Sequence, residues 1–126
     1  MISRLRRAYE EFNRGDFDTA IELAHPEIEF FPPGGQAPIR GADAFRAWME
    51  PDAFEWQTFE IREFRVQGNN VLVRVHSRAV GAGSGIEMEI EAWALWTFDD
   101  DGLATRVEGF LPHQDAEAFE AAGLSE

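Results

Sequence analysis

The hydrophobic period of this chain changes near residue 55, and that change restricts the folds open to it. Before it, apolar residues recur at helical spacing: Ile2, Leu5, Tyr9 and Phe12 over residues 1–14, then Phe17, Ala20, Ile21 and Ala24, then Phe45, Trp48 and Met49 over residues 42–50. Beyond it the spacing is that of strands. Residues 55–67, 71–80, 86–98 and 103–111 read as four strands separated by Gly68-Asn69-Asn70, Gly81–Gly85 and Asp99–Gly102. A shorter strand, Glu27–Phe31, lies among the helices. Helices gathered at one end and hairpin-linked strands at the other imply an α+β domain with a mostly antiparallel sheet.

Local chemistry supplies the boundaries. Gly15 stops the first helix and Asp16 caps the second. His25-Pro26 is expected to end the second helix, because a residue before proline avoids the helical region. Pro32-Pro33-Gly34-Gly35 reads as a loop, and Pro51 closes the third helix. Apolar positions in the strand 55–67 shift from odd (Phe59, Ile61) to even (Phe64, Val66), which requires a bulge near Arg62. Asp115 is placed to cap a short final helix that Gly123 terminates.

With 126 residues the chain is expected to form a single domain, 1–126. Its net charge of −13 argues against nucleic acid as a partner and against binding to anionic membranes. All eleven cations are arginine, so Schiff-base lysine chemistry is excluded. Cysteine is absent, which removes disulfides, thiolate nucleophiles and cysteine-ligated metals. No apolar run approaches membrane-spanning length and no leader-like segment opens the chain, so a cytoplasmic protein is expected.

Two strands carry the densest pattern. Val71, Val73 and Val75 alternate with Arg74, His76 and Arg78, while Met88, Ile90, Ala92 and Ala94 alternate with Glu87, Glu89 and Glu91. Pairing Val80 with Gly85 sets Arg78 against Glu87, His76 against Glu89 and Arg74 against Glu91, and puts the aliphatics on the opposite face. The charged ladder is expected to face outward, leaving the apolar face to line a pocket. Arg106, Glu108 and Phe110 extend the outer face, to which Trp93 adds an apolar patch suited to a dimer contact.

The segments Tyr9-Glu-Glu-Phe-Asn-Arg-Gly-Asp-Phe-Asp, His25-Pro-Glu-Ile-Glu-Phe, Gly41-Ala-Asp-Ala-Phe-Arg-Ala-Trp, Asp101-Gly-Leu-Ala-Thr-Arg-Val-Glu-Gly-Phe and Glu117-Ala-Phe-Glu-Ala-Ala-Gly-Leu occur in this order along the whole chain. In that order the chain resembles SnoaL-like and ketosteroid-isomerase-like proteins of the nuclear transport factor two-like superfamily. The resemblance implies a cone-shaped domain in which a curved sheet wraps three N-terminal helices around a pocket, with homodimers common. Isomerases of that branch place a general-base carboxylate at the end of the first strand and oxyanion donors on the first helix and fourth strand. The matching positions here are Phe30, Ala8 and Ala94, none of which can exchange a proton.

The expected pocket walls are Phe30, Phe45, Trp48, Met49, Met88, Ala92, Ala94, Trp96, Val107, Gly109 and Leu111, with Gly109 leaving room for a ligand or another backbone. The first reading is therefore a protein that binds a small hydrophobic molecule. An alternative is an acid–base enzyme using His76 with Glu89 or Glu91, or Tyr9 and Glu29. A third is a dimeric interaction module with a filled core. No cofactor is implied. His25, His76 and His113 lack metal-ligand spacing, Gly81–Gly85 lacks the following helix a phosphate cradle needs, and Asp99–Gly102 lacks the third ligand of a calcium loop.

Overall fold

The computed structural model describes residues 2–33, 37–49 and 54–123. Helix α1 (Ile2–Asn13) is followed by the short helix α2 (Phe17–Ala20), a 3₁₀ turn (Ile21–Leu23) and strand β1 (Ala24–Phe31). A two-residue strand β2 (Ile39–Arg40) and helix α3 (Ala42–Met49) come next. Strands β3 (Phe54–Gln67), β4 (Asn70–Gly81), β5 (Glu87–Phe98) and β6 (Ala104–Phe110) then form the meander, and helix α4 (Asp115–Ala122) ends the described chain. The six strands form one sheet in the order β2-β1-β6-β5-β4-β3, antiparallel except where β1 lies parallel to β6.

Several expected boundaries stand. Asp16 caps α2 by accepting a hydrogen bond from the Thr19 amide, and Gly123 takes the left-handed conformation that stops α4, at φ 76°. The bulge falls between Ile61 and Glu63, as the parity change in the sequence required. Others moved. Helix α2 stops at Ala20 and its 3₁₀ continuation at Leu23, so β1 already runs from Ala24, and His25 lies within that strand, where its ring nitrogen accepts from the Glu27 amide. Asp115 does not cap α4; its carboxylate accepts the Trp93 indole N–H at 2.6 Å instead. The expected ends of the third helix at Glu50-Pro51 and of the loop at Gly34-Gly35 lie outside the described residues.

The β4–β5 register differs from the expected one by two. Gly85 adopts φ 68° and Gly83 φ 79°, conformations that belong to a turn, so Gly85 cannot join a ladder. The last bonded pair is Gly81 with Ile86, which sets Val80 opposite Glu87, Arg78 opposite Glu89 and His76 opposite Glu91. An offset of two preserves which face each side chain takes. Arg74–Glu91 and Arg78–Glu87 therefore persist as diagonal ion pairs at 2.5 and 2.7 Å.

The core is double. On the concave face, Val71, Val73, Val75, Trp96 and Val107 pack with Leu5, Phe12 and Phe45 from the helices. On the convex face, α4 covers Leu72, Trp93, Leu95 and Phe110. Trp93 is thus buried against Phe119, with ring centroids 5.2 Å apart, and the outer patch read as suited to a dimer contact is occupied by the chain's own last helix.

Candidate functional site

The helices do not fill the concavity of the sheet. A cavity of about 150 Å³ remains, walled by α1, α2, α3 and the inner face of β4, β5 and β6. Alternation places Val75, Ala92, Ala94, Trp96 and Val107 on that face, and the small side chains of Ala92 and Ala94 leave the space that larger residues would fill.

Of the expected walls, Phe30, Phe45, Trp48, Met49, Ala92, Ala94, Trp96, Val107 and Gly109 line this cavity. Met88 and Leu111 do not. Met88 has the correct parity, but it lies where β5 runs past the helices, and it is 43% exposed. Leu111 follows the end of β6, where its amide donates to Gln114 Oε1. The first two helices and the segment around β1 add Ala8, Tyr9, Phe12, Ala20, Ile21, Leu23, Ala24 and Pro33, and the sheet adds Phe59, Val75 and Trp93. Their apolar stripes were visible in the sequence, but periodicity does not say which members of a stripe meet a void and which meet other side chains.

Gly109 serves a backbone. A Cβ at this position would lie 2.7 Å from Pro33 Cδ and 3.1 Å from Pro33 N, so its hydrogen side chain lets the chain after β1 seat directly on β6. Phe30 and Trp48 meet edge to face with centroids 4.5 Å apart, and Trp48 is 43% exposed, which puts an aromatic pair between the cavity and solvent.

Among the described residues lining the cavity there is no carboxylate, imidazole or guanidinium, and Tyr9 supplies the one hydroxyl. The Trp96 indole N–H donates to the Tyr9 oxygen at 3.1 Å, and the hydroxyl proton has no acceptor among the described residues. Burial pushes the Tyr9 phenol up to about 12, the bond from Trp96 acting weakly in the other direction.

The remaining acid–base candidates lie elsewhere. Glu29 points to the convex side, 3.6 Å from Arg40. His76 sits in the outer ladder with Nε2 3.6 Å from Glu89 and Nδ1 3.7 Å from Glu91, and Nδ1 has no hydrogen-bond partner among the described residues. Arg74, by hydrogen bond and then by charge, holds the Glu91 carboxyl below the usual carboxylate range. The structure therefore brings Tyr9 to the cavity and keeps His76, Glu89, Glu91 and Glu29 away from it. No group of histidines and carboxylates among the described residues could hold a metal ion. No helix among them is long and apolar enough to cross a membrane.

A curved, unclosed sheet folded over helices with a chamber between them defines the NTF2-like class. The chain belongs to the SnoaL-like domain family, which matches residues 5–107. TerC co-crystallised with polyporic acid has the same fold, with a TM-score of 0.75 and 22% identity over 96% of this chain and 95% of that one. An NTF2-like protein from Burkholderia pseudomallei K96243 superposes with a TM-score of 0.79 and 20% identity over 96% and 95%. Rv0760c from Mycobacterium tuberculosis, in complex with estradiol-17beta-hemisuccinate, does so with a TM-score of 0.74 and 15% identity over 86% and 90%. No curated protein matches the chain in sequence.

Proposed function

We propose that this protein binds one small, mostly apolar molecule in the cavity between helices and sheet, and that the Tyr9 hydroxyl donates to an acceptor oxygen on it. The observation that carries this reading is the pairing of an apolar chamber with one hydroxyl, that of Tyr9, whose proton has no acceptor among the described residues. A cavity of about 150 Å³ matches the size at which engineered apolar cavities take up one aromatic ring. A buried donor discriminates strongly against ligands that leave it unpaired. Polyporic acid with TerC and the estradiol ester with Rv0760c support a ligand-binding use of this fold. The absence of a carboxylate or imidazole from the described wall favours binding over acid–base catalysis as the role of this chamber.

The test is intrinsic fluorescence, since Trp48 and Trp96 both line the cavity. Titration with acetophenone should give saturable quenching. Ethylbenzene, of similar size but without the carbonyl, should bind more weakly, and the difference should vanish in Tyr9→Phe. Quenching that never saturates, for either compound, would refute the reading.

A further inference from the structure

The two free sides of the long strands are treated differently. At the β3 edge, the Asn13 side chain donates to the Phe59 carbonyl at 2.9 Å and accepts from the Phe59 amide at 2.8 Å, imitating a neighbouring strand. The bulge between Ile61 and Glu63 distorts that edge further. Both devices prevent edge-to-edge pairing. The other free edge is internal to the sheet order. β6 ends at Phe110, opposite Trp93, so β5 from Glu87 to Ala92 has β4 on one side and, among the described residues, no strand on the other, the turn Pro112–Gln114 packing against β5 just past the end of β6.

The ladder defines which groups are open. Gly81 N–H bonds to Ile86 O and Phe98 N–H to Asn69 O, and no bulge interrupts β4–β5 between them. In an antiparallel pair, alternate residues direct both main-chain groups to the same neighbour. Even-numbered residues of β5 therefore bond to β4. Trp93, Leu95 and Thr97 face β6, and Glu87, Glu89 and Glu91 present their amides and carbonyls to the open side. Flanking this edge, Ile86, Met88 and Ile90 are 62%, 43% and 45% exposed on the concave face, while the three glutamate side chains stand on the convex face, paired with Arg74 and Arg78 on their β4 side and still partly exposed to solvent.

We propose that this edge accepts an extended segment of a partner protein in which arginine or lysine alternates with apolar residues. The main-chain groups of Glu87, Glu89 and Glu91 would extend the sheet by one strand, the partner's apolar side chains would cover Met88 and Ile90, and its cations would meet the glutamates. Charge selects against a second copy of this chain. Antiparallel self-pairing through the open groups sets Glu89 against its own counterpart and Glu87 against the counterpart of Glu91, like charges opposite one another in a chain of net charge −13.

The probe is a labelled, end-blocked seven-residue peptide of alternating lysine and valine, followed by fluorescence anisotropy against the full chain. Binding is expected, weakening as salt is raised. Glu89→Pro removes an amide that faces outward and leaves the β4–β5 bonds intact, so affinity should fall about tenfold or more while the circular dichroism spectrum is unchanged. Should that variant fold poorly, the same peptide N-methylated on alternate amides should show the loss with the unaltered protein. A glutamate–valine peptide that binds equally well overturns the proposal. So does full binding after removal of the amide on either side. A dimer seen by sedimentation and dissolved by Glu89→Pro would assign the edge to a second copy and overturn it too.

Discussion

The indole N–H of Trp96, on β5, donates to the phenolic oxygen of Tyr9, on α1, across 3.1 Å. This bond joins the helical layer to the sheet inside an otherwise apolar chamber, and it uses the Tyr9 oxygen as an acceptor while the hydroxyl proton has no acceptor among the described residues. Tyr9 is the only tyrosine in the chain, so the phenolate absorbance of the native protein reports on this site alone. With the phenol pushed up to about 12 from 10.0 by burial, that absorbance should rise near pH 12 in the native state and near pH 10 in denaturant. The folded state holds the proton more tightly than the unfolded one. The stability tied to this group is therefore fully present below pH 10 and lost as pH climbs toward 12. A native titration coincident with the denatured one would mean that the hydroxyl is solvated.

Tyr9→Phe should separate the two partners' roles. The Trp96 N–H then has no acceptor, which costs about 1–3 kcal/mol if the cavity stays dry, measurable as a lowered urea midpoint. Discrimination between carbonyl-bearing and purely hydrocarbon ligands should disappear at the same time. A fall in stability with discrimination intact would limit Tyr9 to a structural part.

Ala94→Leu should fill the chamber. The side chain lies on the cavity wall opposite Gly109 on β6, and leucine would occupy much of the available space. Stability should change by no more than about 1–3 kcal/mol in either direction, since added contacts and crowding oppose one another. Saturable ligand quenching should be abolished, with the near-ultraviolet circular dichroism still that of a folded protein. Retained ligand affinity would place the binding site elsewhere.

Much of this arrangement was written in local patterns. The change of period near residue 55 separated helices from meander, and the odd-to-even shift from Ile61 to Phe64 located the bulge. The valine–alanine face and the arginine–glutamate face were assigned correctly even though the register was two residues out, because such an offset leaves parity untouched. The differences share a cause. Parity alone puts Met88 and Leu111 on the cavity wall and Trp93 on an open outer face, and parity does not say how far the helices reach along a strand, where a strand stops, or whether α4 folds back over the convex side. Two-residue β2 and the parallel β1–β6 contact depend on tertiary pairing, and nothing in so short a segment announces them. The tyrosine–tryptophan bond spans 87 positions in sequence, beyond any local rule.

Gly109→Ala tests the seat of the chain after β1. The added methyl would lie 2.7 Å from Pro33 Cδ, inside van der Waals contact, and the ring is part of a rigid backbone that cannot rotate away. The substitution should destabilise the protein by about 1–3 kcal/mol, read from urea unfolding. Ligand affinity should fall with it, since Pro33 also lines the cavity. An unchanged unfolding midpoint would show that this contact is slack.

The outer ladder should influence stability in acid and leave ligand binding alone. Arg74 stabilises the charged form of Glu91, so the contribution of that pair is present above the ordinary carboxylate range and is lost as pH falls through the lowered value. Glu91→Gln should flatten the acid limb of the stability profile, and salt at about 1 M should shrink the difference from wild type, because both side chains are well exposed and a Debye length of about 3 Å screens them. His76→Ala, made in the same ladder, should leave acetophenone quenching unaltered, for the imidazole lies on the opposite face of β4 from Val75 and the cavity. A His76 variant that loses the ligand while remaining folded would restore the acid–base reading and move the functional centre to the convex face.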